Sequence, residues 1–290
     1  MSSFSSSADR QMQALLLDGW LACVATALGA LPAHVLHVAV GDARRATVIA
    51  IGGCVAAGLM VAASALLVVD AIDASTHIEL LSFAGGACAS VLSVRLLTAI
   101  AAAASVVGDA DDATGKRRSG AAASVRSILL LAALATDALA EGVAMGVAAR
   151  RDELDTEPGA RRSLPLMALM LCAHNVPEGM AAASAWHASR AGNGGEPMRA
   201  DGSATELIRS ALLAMCTSLP QPVGGALALH FLRGASGALP WVQGVAAGAL
   251  AYVAAVELLP HALPSVGRKA AYGTVLASAL GAAALHELTG

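Results

Sequence analysis

Residues 127–149, SILLLAALATDALAEGVAMGVAA, and residues 163–188, SLPLMALMLCAHNVPEGMAAASAWHA, are both apolar and both long enough to cross a bilayer as a helix. A spanning helix needs about 20 mainly apolar residues. Each stretch nevertheless carries ionisable side chains near its centre: Asp137 and Glu141 in the first, His174 and Glu178 in the second. Each pair is spaced i,i+4 and so shares one helix face.

Burying these groups in lipid is costly. A mid-membrane acid opposes insertion by about 2.5–3.5 kcal/mol, so Asp137, Glu141 and Glu178 together cost roughly 8–10 kcal/mol. Protonation, pairing with basic side chains or a bound cation can offset this. Neither stretch has a Lys or Arg near its midpoint, which leaves protons and metal. Consecutive antiparallel helices would set Glu141 against His174 and Asp137 against Glu178. One imidazole and three carboxylates suit Zn²⁺ and also Mn²⁺ or Fe²⁺. Pro177 frees the carbonyl of Ala173, a defect tolerated in membranes where it is re-satisfied or lines a cavity. Further along, TSLPQPVGGALAL (217–229) places Gln221 between Pro220 and Pro222, where its amide oxygen is a candidate donor.

The rest of the chain agrees with a membrane setting. It is 57% hydrophobic and 13% charged, with a mean hydropathy of +0.67, whereas soluble domains carry about a quarter charged residues. Apolar segments near 14–41, 47–69, 78–105, 127–149, 164–188, 207–231, 239–262 and 270–288 predict an all-α integral membrane protein of about eight transmembrane helices. A polar N-terminal tail (1–13) precedes a single transmembrane domain (14–290), with a short polar loop at 106–126 placed in the cytoplasm. The tail lacks a basic region before its first apolar stretch and does not read as a cleaved signal peptide. The net charge of −3 and the absence of basic–aromatic runs exclude nucleic acid as a partner. Five cysteines lie singly in apolar segments and read as small buried hydrophobes.

Orientation follows from the short loops. One alternate set holds Arg44, Arg45, Lys116, Arg117, Arg118, Arg126, Arg190, Arg199, Arg209, Arg268 and Lys269. The other holds Arg10, Arg150, Arg151, Arg161, Arg162 and Arg233. The richer set is expected in the cytoplasm and both termini outside, where Asp70, Asp73 and Glu79 make one mouth acidic. Glu257 and His261, near the inner end of the seventh segment, are either a solvated pair or a metal exit. His34 and His37, near the inner end of the first, read as structural.

His174-Asn175-Val176-Pro177-Glu178-Gly179 resembles the HNxPEG signature of the ZIP family of zinc and iron permeases. The acid-bearing fourth segment, the Pro- and Gly-rich sixth, and Glu257-Leu258-Leu259-Pro260 in the seventh resemble that family's arrangement too, so the likeness covers most of the chain. It implies a ZIP-like helical bundle that moves divalent metal, zinc before Fe²⁺ or Mn²⁺, into the cytoplasm, with His174, Asn175 and Glu178 as ligands. Where the family shows H-N-x-x-[DE], this chain has Asp137-Ala138-Leu139-Ala140-Glu141, and Gln221 stands where many members carry Glu. The expected metal residues are therefore Asp137, Glu141, His174, Asn175, Glu178 and Gln221. No prosthetic group and no enzymatic activity are expected. The expected partners are divalent metal ions and the lipid bilayer, with a homodimer left open, and plasma and internal membranes are not distinguished. The alternatives are a membrane-embedded metallohydrolase, with Glu178 as base, and a metal-binding relative that does not transport.

Overall fold

A computed structural model describes residues 2–74, 76–110, 119–155, 162–192 and 204–289. Almost all of these residues are helical, and no strand occurs among them. The helices are α1 (Ser2–Ala39), α2 (Asp42–Ala74), α3 (His77–Ala110), α4 (Ser119–Leu154), α5 (Ser163–Gly192), α6 (Ala204–Ser218), α7 (Pro220–Gly234), α8 (Leu239–Tyr252), α9 (Leu259–Val266) and α10 (Arg268–Thr289). A 3₁₀ turn (Ser236–Ala238) precedes α8, and a π-helical turn (Val253–Leu258) joins α8 to α9.

Among the described residues, five stretches are long and apolar enough to cross a membrane: Ala8–Ala39, Ala43–Ile72, His77–Leu96, Ala204–Gly234 and Ser236–Val266. The expected segments overlap α1, α2, α3, α4, α5, α6–α7, α8–α9 and α10, but α4, α5 and α10 are not among these five stretches, and several helices run longer than predicted. α1 already begins at Ser2, so most of the expected polar tail is helix. α3 continues to Ala110 and α4 starts at Ser119, which leaves 111–118 of the expected 106–126 loop outside the described residues.

Small residues let the helix pairs close. The main pairings are α1 with α5, α4 with α7, α3 with α8 and α2 with α10. On the α1–α5 seam a Cβ at Gly179 would run into the Thr26 carbonyl, and one at Gly29 into the Val176 carbonyl. On α4–α7, Gly142 lies against the Gln221 carbonyl and Gly146 against Ala228 and the Gly225 carbonyl. Gly244 and Gly248 of α8 sit on the α3 backbone at Phe83 and Ala87. Such backbone approach is how helices gain van der Waals contact in lipid, where burying apolar surface gains nothing.

Polar contacts fasten the ends. Thr76 and Glu79 form a capping box at the start of α3, with Thr76 N donating to Glu79 Oε2 at 2.7 Å and Glu79 N to Thr76 Oγ1 at 3.4 Å. Asp152 of α4 accepts from the Ser163 and Leu164 amides at 2.7 and 3.1 Å, so it caps α5 from another helix. Arg233 of α7 grips the Glu153 carboxylate and donates to the Ala8 carbonyl at 2.7 Å. Beside this end lies a cavity of about 1290 Å³ whose lining includes Asp70, Glu79, Arg151, Asp152 and Asp155.

The prolines explain the breaks. Pro220 and Pro222 lack amide donors, so α6 stops at Ser218 and α7 restarts at Pro220. The carbonyl of Ser218 has no donor four residues on, and the Cys23 thiol donates to it instead at 3.2 Å. Cys23 thus does more than fill space. Before Pro260 the helix widens, with Leu259 N–H bonding to the Ala254 carbonyl five residues back, a π-type repair of the ladder.

Candidate metal centre

α4 and α5 pack against each other and against α7 and α1, and the ionisable faces of α4 and α5 meet inside this group. Asp137, Glu141 and His174 each offer a ligand atom, and all three atoms lie within 4.8 Å of one another. Glu141 is fully buried, His174 is 1% exposed and Asp137 8%.

His174 Nε2 stands 2.9 Å from Glu141 Oε1, yet neither atom makes a hydrogen bond, nor do Glu141 Oε2, His174 Nδ1 or Asp137 Oδ1. Donors held on one ion at bond lengths of about 2.0–2.2 Å sit roughly 3–4 Å apart. The observed spacing is of that order. Each orphaned buried polar atom costs about 1–3 kcal/mol, so the cluster is expensive unless a proton or cation completes it.

Glu178 is buried as well, and both of its carboxylate oxygens lack hydrogen-bond partners. It stands outside the 4.8 Å group formed by the other three. Asp137, expected against Glu178, lies with Glu141 and His174, and its charge also acts on Glu178. The Gly52 position of α2 faces Met180 Cε and Pro177 Cβ, so α2 closes on the Pro177 side of α5.

Asn175 and Gln221 form an amide pair. Asn175 Nδ2 donates to Gln221 Oε1 at 2.9 Å and to the Ala22 carbonyl at 3.2 Å. Because the Ala22 carbonyl can only accept, the Asn175 nitrogen must face it. Asn175 Oδ1 is left buried without a partner and available as a ligand. Gln221 Nε2 faces Met145 Sδ at 3.6 Å. Gln221 is thus a holder of Asn175, with its own oxygen already engaged.

Sequence reasoning missed the support beneath this pair. Thr26 Oγ1 donates to the Ala22 carbonyl at 3.0 Å and receives a 2.6 Å hydrogen bond from Ser218 Oγ. A threonine and a serine in apolar helices are common, so the only available signal was Ser218 standing just before the Pro220 break. Elsewhere, His261 Nδ1 lies 2.5 Å from the Glu257 carbonyl at the π turn, and His261 is exposed.

No model of a known protein family matches the chain, and no curated protein matches it.

Proposed function

We propose that the protein is a ZIP-like transporter of divalent metal ions, zinc foremost, which moves its cargo through a mid-membrane site between α4 and α5. The observation that carries this reading is the buried group of Asp137, Glu141 and His174, whose donor atoms converge without hydrogen-bond partners in a chain of membrane-length apolar helices. In the proposed cycle, Glu141 and His174 bind the ion directly, Asp137 and Glu178 balance its charge, and Asn175 adds a neutral oxygen. Gln221 orients Asn175. The eight helical paths form one bundle with both termini outside. The mixed nitrogen and oxygen donors suit Zn²⁺, Fe²⁺ and Mn²⁺, and the oxygens alone would not select zinc.

Radiotracer uptake into proteoliposomes, with Zn²⁺, Mn²⁺, Fe²⁺ and Cd²⁺ in competition, tests the proposal. Saturable zinc uptake that the other ions inhibit to different degrees is expected. Metal bound at the site without uptake would leave a non-transporting metal-binding protein in its place.

A further inference from the structure

α1 and α5 run parallel along a seam that pairs Ala22 with Asn175, then Thr26 with Gly179 and Gly29 with Met180. Farther along the same seam three histidines meet. The His37 and His187 rings stack at 5.2 Å between centroids with 27° between planes, and His34 lies 6.3 Å from His187. His187 is buried, and both its Nε2 and His34 Nδ1 are shielded from solvent without a hydrogen-bond partner.

His37 is differently engaged. Its Nδ1 lies 2.8 Å from Arg45 NH1 at the start of α2. A guanidinium can only donate, so this nitrogen carries a lone pair and no proton. A cationic group therefore already rests on one imidazole of the cluster. Arg45 has reason to be there, since a positive charge in the first turn of a helix is opposed by the helix dipole and an imidazole lone pair relieves it.

We propose that His34, His37 and His187 form a second divalent-cation site, built from nitrogen donors, in which Arg45 occupies the His37 lone pair until metal displaces it. Two imidazoles sharing one tetrahedral ion at bond lengths of about 2.0–2.1 Å have ring centres roughly 5 Å apart. The His37–His187 separation matches this, whereas His34 lies 6.3 Å from His187 and the three ring nitrogens do not converge within 4.8 Å as the donors of the α4–α5 group do, so the three side chains must turn toward one point to hold an ion. The charges of Glu206, which pairs with Arg209 at 3.1 Å, and of Arg45 also reach His187, with opposite sign. Imidazoles without carboxylates select Zn²⁺, Co²⁺, Ni²⁺ and Cu²⁺ over Mn²⁺ and Mg²⁺. His187 lies thirteen residues beyond His174 on α5, about 20 Å along the helix, so the two ions would not repel strongly and the sites are separate. The seam thereby joins a mixed-donor site to a nitrogen site.

Co²⁺ stoichiometry and visible absorption of the purified full-length protein test this without reference to uptake. The native protein is expected to hold two Co²⁺ ions. The Glu141→Gln, His174→Ala double variant should keep one, with the spectrum of a nitrogen-rich site, and should hold no Mn²⁺. Adding His34→Phe and His187→Phe, which keep ring volume and remove the donors, should abolish the remaining ion. Arg45→Gln should tighten it by about tenfold by removing the competitor. Should the double variant not fold, His187→Phe alone in the native background should lower the stoichiometry from two to one. A native protein that binds one ion, lost with His174→Ala, overturns the proposal. So does a second ion that survives His34→Phe and His187→Phe.

Discussion

In the proposed α4–α5 site Glu178 supplies charge and Gln221 orientation, and substitution can separate the two. Glu178 is buried with both oxygens unpartnered, so Glu178→Gln keeps the shape and removes the charge that balances a dication. Expression at the membrane should persist while zinc uptake falls to background; normal uptake would remove Glu178 from the site. In the proposed site Gln221 would act on the ion only through Asn175, whose amide it holds. Gln221→Leu preserves bulk but frees the Asn175 amide to turn, and loss of such a supporting partner typically costs 10–100-fold in metal affinity. Isothermal titration with zinc should show that loss with little change in melting temperature, and unchanged affinity would make the amide pair merely structural. The buried grouping of Asp137, Glu141 and His174 was legible in the sequence because four-residue spacing fixes a helix face and the lipid makes any mid-depth charge conspicuous; the same spacing marked Glu178, which is buried but outside that group. The role of Gln221 was not legible. It depends on where α7 sits against α4 and α5, and no spacing within one helix encodes that.

At the level of elements, segment existence was legible and segment detail was not. Hydropathy registers lipid depth, so it found the apolar stretches but stopped short of the polar turns that extend α1 and α3. The π turn before Pro260 and the Cys23 repair of the Ser218 carbonyl are responses to prolines whose positions were plain, but the donor chosen in each case is set by packing. Glycines make the element scale testable. A methyl group at Gly179 or Gly142 meets a backbone carbonyl of the neighbouring helix, whereas one at Gly53 or Gly273 meets nothing within 4 Å. Backbone cannot move aside as a side chain can, so Gly179→Ala and Gly142→Ala should each destabilise by about 1–3 kcal/mol. Gly53→Ala and Gly273→Ala should be neutral or gain up to about 1 kcal/mol from helix propensity. Thermal unfolding in detergent would show this as lower melting temperatures for the first pair only. Equal behaviour of all four would mean that the α1–α5 and α4–α7 seams are not the tight contacts described.

For the whole molecule, the two ends differ in charge and chemistry. One end gathers Arg233, Glu153, Asp152 and the cavity lined by Asp70, Glu79 and Asp155; the other gathers His34, His37, His187 and Arg45. The greater number of Lys and Arg residues in the loops of the second end predicts that it faces the cytoplasm. The 106–126 connection is expected at that end and the 150–163 connection at the acidic end. An outward acidic cavity would raise the local concentration of cations before they reach the α4–α5 site, so orientation bears directly on the direction of transport. The test needs a background without native cysteines, in which Cys23→Ser is the conservative choice because a hydroxyl can still donate to the Ser218 carbonyl. Single cysteines are then placed at Ser119, at the start of α4, and at Thr156, which lies outside the described residues. A membrane-impermeant maleimide applied to intact cells should label position 156 and leave position 119 unlabelled until the membrane is permeabilised. Labelling of 119 alone from outside would invert the molecule, put the histidine cluster at the entrance, and turn the proposed importer into a protein that receives its metal from the cytoplasm.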